Sequence, residues 1–291
     1  MTPEPIRFRT RDGLWLAGEA LGDRDAPRVI FVHGGGQTRG SWKDSLAATA
    51  ALGRRAIAFD ARGHGESDWS PTGDYSLSAF ADDLGIVIAE AGGKPPVIVG
   101  ASLGGIAALL HLGEGDGGAG SGLALVDVAP RINLTGVTRI LAFMSSNPNG
   151  FASLDDAAAA IAAYNPDRRR PPSAQGLARS LRLRDGRYHW HWDPRFLQDR
   201  HAIRLAEAGR IEAAAAQIKI PTLLVHAGLS DIVTKAEIDH LASVIPHARY
   251  AHVADAGHMI AGDDNVAFNR AIGNFLEGLA NCPPLVKASN R

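Results

Sequence analysis

The sequence predicts an α/β fold in which a mostly parallel sheet is flanked by helices and interrupted by an inserted helical cap. Three observations carry this. Residues 96–105, PVIVGASLGG, pass from a β-branched apolar run through a glycine-flanked serine into an alanine-rich helical stretch, so a buried strand meets a helix across a sharp turn. Short apolar runs and amphipathic helical segments alternate on both sides of that point. At Pro130 the alternation stops, and it resumes only at Thr222.

A chain of 291 residues with 45% hydrophobic content is ample for one α/β domain with an insertion. The core is expected in residues 1–130 and 216–291, and the cap in residues 131–215. A net charge of −1 and an isoelectric point near 6.8 provide no basic field for nucleic acid and no acidic solvating tail. The single cysteine, Cys282, cannot form an internal disulfide, and the leading MTPEPIRFRT lacks the apolar segment of a secretory signal. No apolar stretch approaches the roughly 18–20 residues of a membrane span. The expectation is a cytoplasmic protein that acts on a small molecule, with neither membrane nor nucleic acid as partner.

Residues 6–10 and 14–20 read as an antiparallel hairpin at one sheet edge, with Asp12 and Gly13 in its turn. A strand at 29–32 leads into HGGGQTRGSW, residues 33–42, where successive glycines let backbone N–H groups face a cavity unobstructed. A helix over 41–52, a strand over 55–60 and a helix over 77–91 come next. At the central turn, Ser102 needs small neighbours two residues to either side, which Gly100 and Gly104 supply, and Gly105 permits close helix packing. The helix at 103–112 is followed by a glycine-rich loop at 113–122 and a strand at 123–128. Beyond the cap lie a strand at 221–227, the loop GLSDIVT with Asp231, a helix at 235–244, a strand at 249–253, the loop ADAGHM with His258, and a closing helix at 266–279.

Within the cap, Ser153 and Asp156 make a capping box for a helix that runs to Tyr164 and is ended by Asn165 and Pro166. Further helices are expected near 175–184 and 200–215. Thirteen arginines against eight acids give this segment a charge of +5, and the remainder carries −6. That excess either meets an anionic substrate or is solvated surface charge, and the RRRPP run at 168–172 favours the surface. In YHWHWDP, residues 188–194, His189, His191 and Asp193 would share a face if extended. Nothing nearby identifies the partners that fix a zinc ligand set, so no metal is expected. Met144, Trp190, Trp192 and Phe196, together with Phe143, read as cap packing or as the wall of an apolar pocket.

The G-x-S-x-G turn in its strand-to-helix setting, the HGGG run, the phrase D-x-R-G-H-G-x-S at 60–67, and the later acid and histidine loops together resemble the α/β-hydrolase family over nearly the whole chain outside the cap. The resemblance implies an eight-stranded sheet with Ser102 as nucleophile, Asp231 as acid and His258 as base. It implies an oxyanion hole from the N–H groups of Gly35 and Leu103, with Gly34 as an auxiliary donor, and no metal or organic cofactor. Asp60 and His64 would hold the rim of the site, and His33 would anchor its loop. Asp127 also ends a strand, and some members of this fold recruit their acid there. Asp231 is preferred because the GLSDIVT loop is the family's usual acid loop and because Asp127, before Val128, Ala129 and Pro130, looks like the joint that launches the cap. The implied activity is cleavage of a small, largely apolar ester or lactone through an acyl-enzyme on Ser102. Perhydrolysis, carbon–carbon bond hydrolysis and a receptor without turnover use the same fold and stay open.

Overall fold

The computed structural model describes residues 2–115, 118–131, 133–164, 177, 180–254, 256–258, 260 and 265–280. Two strands open the chain, β1 (Glu4–Arg9) and β2 (Trp15–Leu21), paired antiparallel with Glu4 against Ala20. They are followed by β3 (Arg28–Val32), α1 (Lys43–Ala51), β4 (Arg55–Phe59), α2 (Leu77–Ala91), β5 (Val97–Ala101), α3 (Leu103–Glu114) and β6 (Gly122–Val126). The inserted region contains α4 (Leu134–Ser145), α5 (Leu154–Tyr164), β7 (Leu181–Arg184), β8 (Arg187–Trp190) and α6 (Arg200–Ala206). The chain continues through α7 (Ala208–Ala216), β9 (Thr222–Ala227), α8 (Lys235–Val244), β10 (Arg249–Val253) and α9 (Asn265–Ala280).

Eight strands form one sheet in the order β1-β2-β4-β3-β5-β6-β9-β10. Pairing is antiparallel at β1/β2 and β2/β4 and parallel elsewhere, as the sequence predicts. Side chains alternate across it. On β3, Ile30 and Val32 pack with Leu84, Leu109 and Leu241, while Val29 and Phe31 face the other way toward Leu46 and Phe268. Helices therefore seal both faces, which is why the central strands read as unbroken apolar runs. Trp42 fills the second face, its ring 5.2 Å from Phe31 and 5.9 Å from Phe268. Because β3, β4, β5, β6, β9 and β10 run parallel, the loops after β3, β5, β6, β9 and β10 meet along one edge, where open α/β sheets bind ligands.

The cap is less helical than expected. Residues 181–184 lie in a strand, not in the helix anticipated near 175–184, of which 175–176 and 178–179 fall outside the described residues. The cause is local: Asp185 and Gly186 both take positive φ, 48° and 76°, and close a two-residue hairpin between β7 and β8. The capping box holds, with Ser153 and Asp156 exchanging backbone N–H to side-chain bonds at 3.0 and 3.1 Å. The end expected at Asn165 and Pro166 lies outside the described residues. The helix anticipated over 200–215 is two helices broken at Glu207. Of these, α7 packs into the main core, with Ile211, Ala214 and Ala215 beside Ile106 and Leu110. No helix among the described residues is long and apolar enough to cross a membrane.

The seam between α3 and α7 is so close that a Cβ on Gly113 would sit 2.1 Å from the Ala214 carbonyl oxygen. Gly113→Ala is therefore expected to destabilise the fold by about 1–3 kcal/mol, despite the helix propensity that alanine adds. Urea unfolding measures this, and an unchanged or raised midpoint would show that α7 is not held against α3.

Candidate active site

Ser102 follows β5 at the turn into α3 with φ 45° and ψ −114°, a conformation that costs an L-residue energy and must be held by its surroundings. Its N–H donates to the Val126 carbonyl at 3.2 Å, and its own carbonyl accepts from Ile106 at 3.0 Å. The flanking glycines are steric necessities. A Cβ on Gly100 would lie 2.7 Å from the Gly104 oxygen, and one on Gly104 would lie 2.4 Å from the Val32 oxygen. The strand, the elbow and the glycine loop after β3 are thus pressed together.

His258, in the loop after β10, places Nδ1 2.6 Å from Oδ2 of Asp127. An ionised carboxylate only accepts, so Nδ1 carries the proton and Nε2 is left with its lone pair. Asp127 ends β6 in the left-handed region at φ 48° and is fully buried. Its Oδ1 accepts from the Ala227 N–H at 3.2 Å and its Oδ2 also from the Ser230 hydroxyl at 2.5 Å. Three strand ends thereby converge on one carboxylate.

The structure does not bring the expected acid, Asp231, to His258. After β9 the chain turns at Ser230, whose N–H bonds the Ala227 carbonyl at 3.0 Å, and this turns the Ser230 side chain to Asp127. The next residue, Asp231, pairs instead with Arg139 of α4 at 3.1 Å, both side chains being partly exposed. Asp231 links core to cap and does not touch His258.

The glycine loop is narrowed in the same way. Gly34 donates its N–H to Gln37 Oε1 at 2.8 Å and Gly36 donates to His64 Nε2 at 3.1 Å, so neither is free for a ligand. This removes Gly34 as an auxiliary donor. Among the described residues the Gly35 N–H has no acceptor, and Leu103 opens α3, where helix N–H groups are unpaired and the dipole favours negative charge. Gly35, Ser102 and Leu103 line one cavity of about 120 Å³, closed from the cap side by Met144 and Phe196. Trp190 and Trp192, also expected there, stack on each other at 4.8 Å and line a neighbouring cavity of about 350 Å³. Ser102 and His258 form no hydrogen bond with each other in this structure, a contact that in free enzymes often tightens only when substrate binds.

Residues 29–271 match the alpha/beta hydrolase family. The chain belongs to that family. Two relatives span most of the chain. The esterase Rv0045c of Mycobacterium tuberculosis is 29% identical over 260 residues, 87% of this chain and 83% of its own. The sn-1-specific diacylglycerol lipase ABHD11 of Mus musculus is 28% identical over 283 residues, 95% of this chain and 86% of its own. A solved structure of Rv0045c superposes with a TM-score of 0.74 at 28% identity, covering 95% of this chain and 93% of that one.

As in the expectation for the family's rim loop, Asp60 is structural. Its carboxylate accepts from the N–H groups of Arg39 at 2.7 Å and Glu66 at 2.9 Å and also pairs with the Arg39 guanidinium. His33 accepts from Ala61 at 2.9 Å through Nε2, and His191 of the cap accepts from Gly65 at 2.8 Å through Nδ1 and lies 3.2 Å from the Gly36 oxygen through Nε2. Asp193 accepts from the Tyr75 hydroxyl at 2.6 Å and pairs with Arg195 at 2.7 Å. His191 and Asp193 thus fasten the cap to the rim. Sequence reasoning missed Ser230, Gln37, Arg200 and Arg204. Only Ser230 carried a signal, its hydroxyl standing beside the expected acid.

Burial holds His33 and His64 neutral below the ordinary imidazole range, and pushes His191 down to about 3. In the unfolded chain these rings bind protons below about pH 6.5, whereas the folded protein refuses them. Their contribution to stability is complete above that pH and is lost as pH falls through it, each ring weakening the folding equilibrium about tenfold per pH unit until its folded pKa is reached. The melting temperature is therefore expected to fall between about pH 6.5 and 5, before most carboxylates titrate. A melting temperature constant over that range would mean that the three rings are not held neutral.

Proposed function

We propose that this protein is a serine hydrolase that cleaves small carboxylic esters or lactones through an acyl-enzyme on Ser102. The observation that carries this reading is the 2.6 Å contact between His258 Nδ1 and a buried Asp127 carboxylate, at the same sheet edge as an elbow serine. The esterase and lipase relatives support it, and a cavity of about 120 Å³ suits a small substrate.

In this reading Ser102 Oγ attacks the ester carbonyl carbon while Nε2 of His258 takes its proton. Asp127, itself fixed by Ala227 and Ser230, stabilises the imidazolium. The carbonyl electron pair moves onto oxygen, and the oxyanion meets the N–H groups of Gly35 and Leu103 in a site walled by apolar side chains, where such donors act most strongly. Collapse breaks the bond to the alcohol, which leaves with the proton from His258. Water then attacks the acyl-enzyme with His258 again as base, releasing the acid and returning the proton to Ser102.

A panel of short p-nitrophenyl esters and lactones tests this. The wild-type protein is expected to turn over many times. Ser102→Ala should lose on the order of 10⁴ or more in rate with its melting temperature unchanged, because the missing atom is a presented hydroxyl and not core volume. Wild-type rates in Ser102→Ala, or binding of ligands without turnover by the wild-type chain, would overturn the reading.

A further inference from the structure

Two arginines stand in the wall of the Ser102 cavity. Arg200 and Arg204, one turn apart on α6, line it together with apolar side chains such as Leu77, Ile106 and Ile203. Arg200 is 9% exposed. Its Nε donates to the Phe196 carbonyl at 2.9 Å and its Nη2 to the Tyr75 carbonyl at 2.7 Å, and its guanidinium lies 4.3 Å from the centre of the Phe196 ring. Arg204 donates through Nη2 to the Pro130 carbonyl. These contacts use neutral acceptors and leave Nη1 of Arg200 and Nε of Arg204 buried without a partner.

Neither cation has an acid beside it among the described residues. The carboxylates of the surrounding elements are engaged elsewhere: Glu207 with Arg210 at 2.8 Å, Glu212 with His240 at 2.8 Å, Asp231 with Arg139 at 3.1 Å, and Asp193 with Arg195 at 2.7 Å. Asp127 is taken by His258, Ser230 and Ala227. Buried charges are ordinarily paired, since an isolated one pays its full desolvation. Burial lowers both guanidinium groups to about 10, so both stay protonated at neutral pH. A small cavity lined by both an elbow serine and two acid-free guanidinium groups is suited to an anion.

We propose that Arg200 and Arg204 form an anion subsite of this cavity and that the substrate is a short ester carrying a carboxylate. The unpartnered Nη1 of Arg200 and Nε of Arg204 each offer one donor to a carboxylate, and such charge-assisted bonds are stronger than neutral ones. The carboxylate takes no part in bond making; it orients the ester carbonyl against Ser102 and the Gly35 N–H. The sequence expectation of a largely apolar substrate is refined accordingly: the cavity is apolar apart from one cationic end. This inference names the substrate class of the proposed hydrolase, and its binding test does not depend on turnover.

The experiment compares each anionic ester with the neutral diester made by esterifying its carboxylate, with rates counted for the shared ester bond. For acyl-side charge, monoethyl glutarate is set against diethyl glutarate; for alcohol-side charge, 4-acetoxybutanoate against its methyl ester. At least one anionic member is expected to have a kcat/KM ten times or more that of its neutral partner, and added salt should shrink the ratio. Arg204→Met should collapse the ratio at least tenfold while Arg204→Lys retains part of it, whereas a merely structural role would lower both members together. In parallel, Ser102→Ala protein is titrated calorimetrically with monomethyl and dimethyl glutarate, and the monoanion is expected to bind at least ten times more tightly. Equal or weaker use and binding of the anion would overturn the subsite while leaving the hydrolase reading intact. Selective binding of the anion without hydrolysis of any ester would overturn the hydrolase reading and leave the subsite standing.

Discussion

The buried carboxylate of Asp127 is the constraint on which the rest of the site depends. It sits where β6 ends, in a backbone conformation that an aspartate tolerates better than most residues, and receives the Ala227 N–H, the Ser230 hydroxyl and the His258 imidazole. The first two donors come from the end of β9 and the turn after it, and the third from the loop after β10, so one carboxylate at the end of β6 ties three strand ends together. A full charge at 0% exposure is tolerated because its acceptor capacity is met. Removing that charge would release the histidine and loosen the turn after β9 together.

A second set of constraints shapes the opposite wall. The glycine loop after β3 is held by side chains on both sides of Gly35: Gln37 takes the Gly34 N–H and His64 takes the Gly36 N–H. Between them, among the described residues, the Gly35 N–H has no acceptor, and it is a donor that the proposed mechanism uses. Phe196 covers this loop closely enough that a Cβ on Gly35 would lie 3.1 Å from its ring. Phe196 in turn is fixed by Arg200, so the cap, the glycine loop and the cationic end of the cavity form one connected piece. Cap residues therefore help to position the candidate catalytic groups as well as to line the pocket.

Much of this was legible in the residues. Strand and helix alternation yields the sheet, and the clustering of glycines around Ser102 yields the elbow, because both are local and steric. His258 follows from its position after the last strand. The acid did not, since Asp127 and Asp231 both follow strands and both can reach a histidine in principle. What separates them is that the turn after β9 sends the Ser230 side chain to Asp127, while its neighbour Asp231 pairs with Arg139 on a cap helix far off in sequence, and both are tertiary facts. The hairpin of β7 and β8 was hidden for the opposite reason, as its Asp185 and Gly186 turn is a local signal embedded in an arginine-rich stretch that read as helix. That Phe196 lines one cavity, Trp190 and Trp192 another, and Met144 both, depends on tertiary packing, which hydrophobicity alone does not encode.

The central claim is that Asp127, and not Asp231, orients the catalytic histidine. Single-turnover acylation of Asp127→Asn and Asp231→Asn by a p-nitrophenyl ester, with folding checked by thermal melting, addresses it most directly. An amide at 127 presents the wrong partner to Nδ1 and favours the wrong tautomer, so a loss on the order of 10⁴ is expected there, as in the serine-protease template. Asp231→Asn removes a partly exposed ion pair and should cost far less. A large loss confined to Asp231→Asn, with Asp127→Asn near wild type, would contradict the account.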